Sequence, residues 1–249
     1  MIDPRISVIE KRFSEIKRII SVVSGKGGVG KTVIASTLAL SLAKNNYRTG
    51  LFDLDFYGPG CHIVLGVGKV FLEEEKGIIP PKFHGVSLMS IEFFAKDEPV
   101  AMRGTEVTDA LIELMAITRW GPLDFLIIDL PPGLGEEVLD VIRLLRNTEF
   151  LVVTTPSKLS MMVAEKLLKL LKRVRANILG LVENMALTHN MGSTKPLAEK
   201  YQVEFLGSIR LDEKLEAAIG VPEKIFETIF FKDIQKIFEK LCKGINTDR

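Results

Sequence analysis

The sequence predicts an α/β fold of three layers, in which helices cover both faces of a mostly parallel central sheet. Apolar β-type runs alternate with helical patterns along nearly all of the 249 residues. The runs are almost continuously apolar, as expected of strands that are buried on both faces. Several of them end in glycine-rich or acidic segments, and parallel sheets bind their ligands at the carboxyl ends of the strands.

The order of the elements follows from these patterns. Segments with the length and composition of buried strands are 19–24, 49–53, 86–91, 125–129, 150–154, 178–183 and 204–208. Segments with helical patterns are 33–44, 106–118, 136–146, 160–173, 212–218 and 223–243. We expect residues 1–17 to form an N-terminal arm or helix, and residues 69–82 a surface excursion. Without repeats or a long linker, residues 1–249 are predicted to form one domain.

The composition excludes several classes of protein. Lys plus Arg (33) nearly equals Asp plus Glu (32), so the overall charge gives no indication of a nucleic-acid partner. The apolar runs are too short to span a membrane, and the N-terminus lacks the pattern of a signal peptide. Two cysteines, Cys61 and Cys242, suit a reduced protein without a disulfide framework. We therefore expect a cytoplasmic protein.

The most informative segment joins the first predicted strand to the first predicted helix. It contains Gly25, Lys26, Gly27, Gly28, Val29, Gly30, Lys31 and Thr32, and Val33 continues the helix. The glycines let backbone N–H groups point at a phosphate chain at a helix N-terminus. Lys31 can reach the β- and γ-phosphates, and the Thr32 hydroxyl can hold Mg²⁺. This P-loop pattern predicts a site for ATP or ADP with Mg²⁺.

Acidic residues end two other predicted strands. Asp129 ends an apolar run in the Walker B pattern, and we expect it to hold Mg²⁺ through water. Asp53 ends the second predicted strand, and Asp55 lies two residues later. We assign Asp55 to orienting the attacking water and Asp53 to the metal, although the sequence leaves these two roles exchangeable.

A predicted switch loop follows Asp129. Its residues are Pro131, Pro132 and Gly133. The two prolines stiffen the turn, and the Gly133 N–H is then available to a γ-phosphate. We expect Pro132 to lie at the nucleotide.

Lys26, directly after the first glycine, gives the segment a resemblance to the deviant Walker A group, KGGxGK[ST]. That group includes MinD, ParA, the nitrogenase iron protein and the Mrp/ApbC ATPases. The resemblance implies a homodimer that encloses the nucleotides, with Lys26 of each protomer reaching the phosphates bound by its partner. A cation supplied in this way stabilises charge in the transition state, as an arginine finger does.

Further motifs resemble the Mrp/ApbC branch, whose members are iron–sulfur cluster carriers. They lie at residues 53–59, 103–104, 120–124, 129–136, 183–185 and 206–212. The resemblance implies that Asn184 reads the adenine ring, for which its amide has both a donor and an acceptor. Arg210 stands where the family has proline, and it either flanks the base or is solvated. Implied partners are iron–sulfur assembly proteins or apo-client proteins.

One departure from that branch concerns the cluster ligands. The family usually carries a CPxC pair after the motif at 183–185, whereas residues 186–192 contain no cysteine. Iron–sulfur clusters require thiolates. The chain's own residues therefore leave cluster binding doubtful, with symmetric ligation by Cys61 or Cys242 in a dimer as the alternative.

Three other functions remain open. A MinD-like ATPase would bind membranes through the amphipathic segment 223–243, but the mixed charges of that segment favour packing onto the sheet. A ParA-like ATPase would bind DNA through basic residues in 166–175. A nucleotide-gated scaffold would use hydrolysis only as a reset. The preferred function is a homodimeric, Mg²⁺-dependent ATPase that ATP closes and hydrolysis reopens.

Overall fold

The computed structural model of the chain describes residues 3–95 and 104–242. Arg103, from one of the family motifs, and Lys243, at the end of the last predicted helix, lie outside these residues.

The described strands form one large sheet and one small ribbon. The strands are β1 Ile16–Ser24, β2 Thr49–Asp53, β3 Glu73–Glu74, β4 Ile78–Ile79, β5 Lys82–Phe83, β6 Val86–Ser90, β7 Leu123–Asp129, β8 Thr148–Thr154, β9 Asn177–Ala186 and β10 Phe205–Arg210. The large sheet has eight strands in the order β10-β9-β8-β1-β7-β2-β6-β5, while β3 pairs with β4. Within the large sheet β5 is antiparallel to β6, and the other pairs are parallel.

Helices connect most of these strands. They are α1 Pro4–Phe13, α2 Lys31–Lys44, α3 Cys61–Val64, α4 Glu92–Ala95, α5 Thr105–Ile117, α6 Glu136–Leu144, α7 Lys158–Arg173, α8 Lys195–Lys200, α9 Leu215–Ala218, α10 Pro222–Ile225 and α11 Ile229–Leu241. A short 3₁₀ turn at Thr188–Asn190 follows β9.

Two hydrophobic clusters cover the two faces of the sheet. One contains apolar side chains of α1, α5, α6, α7 and α8, and the other contains those of α2, α3, α9, α10 and α11. Alternate residues of the strands contribute to each cluster, because successive side chains point to opposite faces. The predicted three-layer α/β class is confirmed.

The register of the central strands determines which residues meet at the carboxyl edge. Asp53, the last residue of β2, lies opposite Asp129, the last residue of β7. Val22 of β1 lies opposite Asp129 on the other side. The P-loop leaves β1 two residues later, so the sheet itself brings this loop beside both carboxylates.

The prediction of one helix over 223–243 is wrong. The chain forms α10 and then α11, because Thr228 begins a new helix and its hydroxyl accepts a hydrogen bond from the Phe231 N–H (3.0 Å). Apolar residues continue through the break, so their periodicity did not reveal it. The predicted helix 212–218 shortens to α9, and α3 and α8 were not predicted.

The amphipathic face of α11 is packed inside the protein. Phe230, Ile234 and Ile237 are buried in the cluster that covers β10 and α2. That apolar face is therefore not free for a membrane surface. Among the described residues, none of the helices combines the length and apolarity needed to cross a membrane.

The basic residues of α7 are partly neutralised. Glu165 pairs with Lys169 on the same helix (3.4 Å) and with Lys200 (2.9 Å). This arrangement weakens the case for a phosphate-binding surface on α7, because each carboxylate reduces the charge available to a nucleic acid.

Phe52 offers a test of the packing at the centre of the fold. Its ring is fully buried on β2 and meets Trp120 edge-to-face, with centroids 5.2 Å apart. We expect Phe52→Ala to lower the free energy of unfolding in urea by about 3–5 kcal/mol, because a large cavity remains. The matched change Phe71→Ala removes a side chain that is 95% exposed. We expect Phe71→Ala to change the free energy of unfolding by less than about 0.5 kcal/mol. An equal loss in both variants would contradict the central, buried position of Phe52.

Candidate nucleotide site

The loop between β1 and α2 has the backbone that a phosphate-binding turn needs. Gly28 and Gly30 have φ angles of +76° and +80°, which L-residues with a side chain rarely adopt. A Cβ atom on Gly30 would lie 2.3 Å from Asn184 Nδ2. Glycine at position 30 is therefore required both by the backbone conformation and by the close approach of Asn184.

The loop surrounds a cavity of about 240 Å³ at the carboxyl edge of the sheet. The predicted nucleotide and catalytic residues among its lining are Lys26, Gly27, Gly28, Val29, Gly30, Lys31, Thr32, Val33, Asp55 and Pro132. The sequence analysis had not singled out Ser24, which also lines it. The structure thus brings together residues from three separate segments of the chain.

Lys31 lies at the base of this cavity in a buried ion pair. Its Nζ atom is 2.6 Å from Asp129 Oδ1, with the Lys31 side chain 6% exposed and Asp129 fully buried. Removing one partner of such a pair leaves an uncompensated buried charge and costs about 3–5 kcal/mol. In this conformation Lys31 neutralises Asp129 rather than a phosphate.

Asp53 lies beside this ion pair and is held by backbone groups. Its carboxylate accepts hydrogen bonds from the N–H groups of Asp55 (3.2 Å), Gly60 (2.9 Å) and Cys61 (3.0 Å). Burial and the neighbouring charge of Asp129 nevertheless raise the pKa of Asp53 to about 7. Burial also raises the pKa of Asp129, against the opposing effect of Lys31. Burial is thus the largest cause of both shifts, and Lys31 opposes it at both carboxyl groups.

Asp55 occupies a different position from Asp53. It lines the cavity and accepts hydrogen bonds from the N–H groups of Tyr57 (3.3 Å) and Gly58 (3.1 Å). Asp53, in contrast, lies against β7 and is fully buried. This placement agrees with the assignment of Asp55 to water and Asp53 to the metal, and both roles stay predictions.

Three predicted residues have other partners in this structure. Asn184 is buried behind the loop, where its Nδ2 donates to the Val29 carbonyl (2.8 Å). The backbone N–H of Gly133 donates to the Ser24 carbonyl (2.8 Å) rather than being free for a γ-phosphate. Gly25 is not part of the lining, because it packs tightly against the backbone of Val163.

Arg210 is held away from the cavity by α11. Its guanidinium makes two hydrogen bonds to the buried carboxylate of Asp233, at 2.8 and 2.9 Å. This bidentate contact fixes the end of β10 to α11. An adenine contact by Arg210 stays a prediction, since the residue is not among those that line the cavity.

Two further buried residues organise the site. Cys61 is fully buried with its Sγ 3.8 Å from Asp129 Oδ2, and burial raises the pKa of this thiol. Glu183 is also fully buried and accepts hydrogen bonds from the N–H groups of Gly192 (2.6 Å) and Thr194 (2.8 Å). The sequence analysis named Cys61 as an alternative cluster ligand and Glu183 as part of the motif at 183–185, but it gave neither residue a role in holding the site together.

Comparison with known proteins identifies the family. Residues 15–246 match the ParA family, described as "NUBPL iron-transfer P-loop NTPase". The chain belongs to this family. It is 34% identical to an iron–sulfur cluster carrier protein of Saccharolobus solfataricus over 97% of this chain and 88% of the relative. An iron–sulfur cluster carrier protein of Pyrococcus furiosus is 33% identical over 98% of this chain and 92% of its own.

Solved structures agree with the assignment as a P-loop NTPase. A nucleotide-binding protein of Archaeoglobus fulgidus in complex with ADP, with cobalt found, superposes with a TM-score of 0.77. It is 30% identical, and the match covers 91% of this chain and 96% of the other. The septum site-determining protein MinD of Pyrococcus horikoshii, complexed with Mg-ADP, has a TM-score of 0.70 at 23% identity, with coverages of 93% and 99%. This second likeness shows the fold alone.

The donor atoms of the P-loop NTPase site fit a hard divalent cation. Asp53 and Asp129 offer carboxylate oxygens within 4.8 Å of each other, and Thr32 lines the adjoining cavity. Oxygen ligands of this kind are those that Mg²⁺ prefers. Both carboxylates are fully buried, and a cation beside them would offset the cost of burying their charge.

Gly30 gives a test of the cavity as a nucleotide site. We expect Gly30→Ala to weaken ADP binding about tenfold or more, because a positive φ costs alanine about 1–2 kcal/mol and the loop must also move away from Asn184. Isothermal titration calorimetry measures the affinity, and thermal denaturation without nucleotide checks that the variant folds. Gly68→Ala is the matched control, because a Cβ there meets nothing within 4 Å. Wild-type affinity in Gly30→Ala would contradict the assignment.

Proposed function

We propose that the protein is an ATP-binding and ATP-hydrolysing homodimeric switch that acts in iron–sulfur cluster assembly. The observation that carries the proposal is the convergence of Lys26, Lys31, Thr32 and Asp55 on one cavity, with Asp53 and Asp129 beneath it. The names of its relatives support the link to iron–sulfur clusters.

Binding of the triphosphate begins with an exchange of partners at Lys31. The Lys31 ammonium is attracted to the β- and γ-phosphates and leaves Asp129, which then needs another counter-charge. Thr32, Asp53 and Asp129 would hold Mg²⁺, which would supply positive charge beside these carboxylates and the phosphates. The N–H groups of the glycine-rich loop hold the phosphates in place.

Asp55 orients the water that attacks the γ-phosphate. Its carboxylate faces the cavity and is kept in position by the N–H groups of Tyr57 and Gly58. Phosphoryl transfer depends mainly on positioning and on neutralising charge, so a fixed carboxylate is sufficient for this role. A γ-phosphate that attracts the segment of Pro132 and Gly133 must break the hydrogen bond from the Gly133 N–H to the Ser24 carbonyl. The conformation of the switch loop would then depend on which nucleotide is bound.

Two features support a homodimer around the nucleotide. Lys26 is half-buried at the cavity, and among the described residues no carboxylate pairs with it. Exposed apolar side chains lie close to the loop, namely Met185 beside Gly30, and Met162 next to Val163, which packs on Gly25. A second copy would cover these side chains and place Lys26 on the partner's phosphates.

An iron–sulfur cluster would be the cargo of this switch, and the two cysteines do not form a site for it within one protomer. Cys61 is buried at the carboxyl edge, whereas Cys242 follows α11 near Arg18 at the amino end of β1. Two sites at opposite ends of the sheet cannot share one cluster within a protomer. We propose that a partner protein supplies the thiolates and that this chain supplies the nucleotide-driven motion.

Lys26 tests the dimeric mechanism. We expect Lys26→Ala to lower kcat for ATP hydrolysis about 10³-fold, as loss of an arginine finger does. ADP affinity should remain unchanged, since Lys31 and the loop still hold the phosphates of their own subunit. A phosphate-release assay measures kcat, and isothermal titration calorimetry measures the affinity for ADP.

Two further variants make this result specific. Asp55→Asn should also bind ADP and fail to turn over, yet it should still dimerise with ATP in size-exclusion chromatography. Lys69→Ala changes an exposed lysine outside the cavity and should behave as wild type. Normal turnover in Lys26→Ala would contradict the proposed role of Lys26 across the dimer. The assignment of the cavity as a nucleotide site would remain.

Anaerobic reconstitution with ferrous iron and sulfide tests the cargo. We expect wild type and the double variant Cys61→Ser/Cys242→Ser to retain the same small amount of iron and to show no cluster absorbance in the visible range. The reason is that one thiol is buried and the other lies at the opposite end of the sheet. Absorbance that is present in wild type and lost in the double variant would show that the chain binds a cluster with relocated ligands.

A further inference from the structure

A second, larger cavity lies at the opposite edge of the sheet from the P-loop. Its volume is about 890 Å³, which is within the range of small-molecule sites. It is formed by the last turns of α1, the ribbon of β3 and β4, and the loop that leads into β7. The proposed nucleotide site uses none of its residues.

The charges around this cavity are predominantly positive. Lys11, Arg12, Lys76 and Arg119 line it, against one lining carboxylate, Glu15. Burial and the nearby charge of Arg119 both lower the pKa of Arg12. Arg12 and Arg119 thus line the same cavity, and among the described residues no carboxylate pairs with Arg12. An anion in the cavity would compensate the charge of Arg12, whereas Arg119 already has Glu75 as a partner.

The donors of these groups are only partly used. Arg12 Nη2 donates to the Lys76 carbonyl (2.8 Å), but its Nε is buried and has no partner among the described residues. Trp120 lines the cavity, is 7% exposed, and its buried indole N–H also has no described partner. Buried donors are normally satisfied, so two unpaired donors in the side chains that line one cavity are unusual. Arg119, in contrast, forms an ion pair with Glu75 (Nη1–Oε2 distance 3.1 Å).

The local backbone is shaped to keep Arg12 in this position. Gly77, between β3 and β4, has a φ of +130°. A Cβ there would lie 2.6 Å from Arg12 Nη2 and 2.5 Å from the Ile117 carbonyl oxygen. Only glycine allows the ribbon to approach both α1 and α5, and this approach closes one wall of the cavity.

We propose that this cavity binds a small organic polyanion, whose phosphate or carboxylate groups lie between Arg12 and Arg119 and whose body lies against Trp120 and Ile79. The planar guanidinium groups are suited to both kinds of oxyanion. Ile79 and the indole ring supply the apolar wall that small-molecule sites usually have. The site is separate from the P-loop and does not depend on the proposed ATPase activity.

The single tryptophan of the chain makes the site directly observable. We expect inorganic pyrophosphate or citrate to cause a saturable change in Trp120 fluorescence in the intact protein. The titration is made with saturating ADP and without Mg²⁺, so that the P-loop is already filled. Tighter binding of pyrophosphate indicates a phosphorylated ligand, and tighter binding of citrate a carboxylate ligand. Calorimetry under the same conditions detects binding to which the indole does not respond.

Three variants decide the assignment. Arg12→Gln and Arg119→Gln should each raise Kd about tenfold, because each removes a charge-assisted contact. Lys17→Gln is the matched control, since Lys17 lies at the same end of the sheet, is 70% exposed and is outside the lining. Circular dichroism checks folding, and Lys11→Gln, at an exposed position, should weaken binding if Arg12→Gln does not fold. Absence of binding to both anions, displacement by ADP, or equal affinity in all foldable variants would overturn the proposal.

Discussion

The structure of the nucleotide site depends on two buried carboxylates on adjacent strands. The parallel register of β2 and β7 places Asp53 beside Asp129, and both are fully buried. Charges in this position are unfavourable unless they are paired and hydrogen-bonded. Lys31 compensates Asp129, while backbone N–H groups of residues 55, 60 and 61 compensate Asp53. The P-loop lysine and the segment after β2 are therefore both held by the same electrostatic requirement.

The same requirement links the ion pair to the segments on either side of the cavity. A Lys31 ammonium that moved fully toward a phosphate would leave the buried Asp129 carboxylate without its present counter-charge. The segment after β2 is held at this point because Gly60 and Cys61 donate to Asp53, which lies opposite Asp129. The loop after β7 is held because the Gly133 N–H donates to the Ser24 carbonyl, directly before the P-loop. Both segments that border the cavity are therefore fixed by hydrogen bonds close to the buried ion pair.

The sequence predicted those features that depend on local pattern or on the carboxyl edge. The seven main strands and the positions of Asp53, Asp55 and Asp129 at their ends follow from apolar runs that stop at acidic residues. The break at Thr228 could not be predicted in this way, since the apolar pattern continues across it. The partner of Arg210 was also inaccessible, because Asp233 lies on a different element 23 residues later and only packing brings them together. For the same reason, no local signal indicated the cavity between α1 and the ribbon.

The loop after β9 is held in place by hydrogen bonds to the buried carboxylate of Glu183. Glu183 holds residues 192 and 194 by their N–H groups and also accepts a hydrogen bond from Ser208 (2.7 Å) on β10. None of these bonds requires a thiolate, so they hold the loop although its sequence lacks cysteine. Asn184, the next residue, holds the P-loop at Val29. Glu183 and Asn184 therefore tie this loop and the nucleotide loop to the same strand, β9.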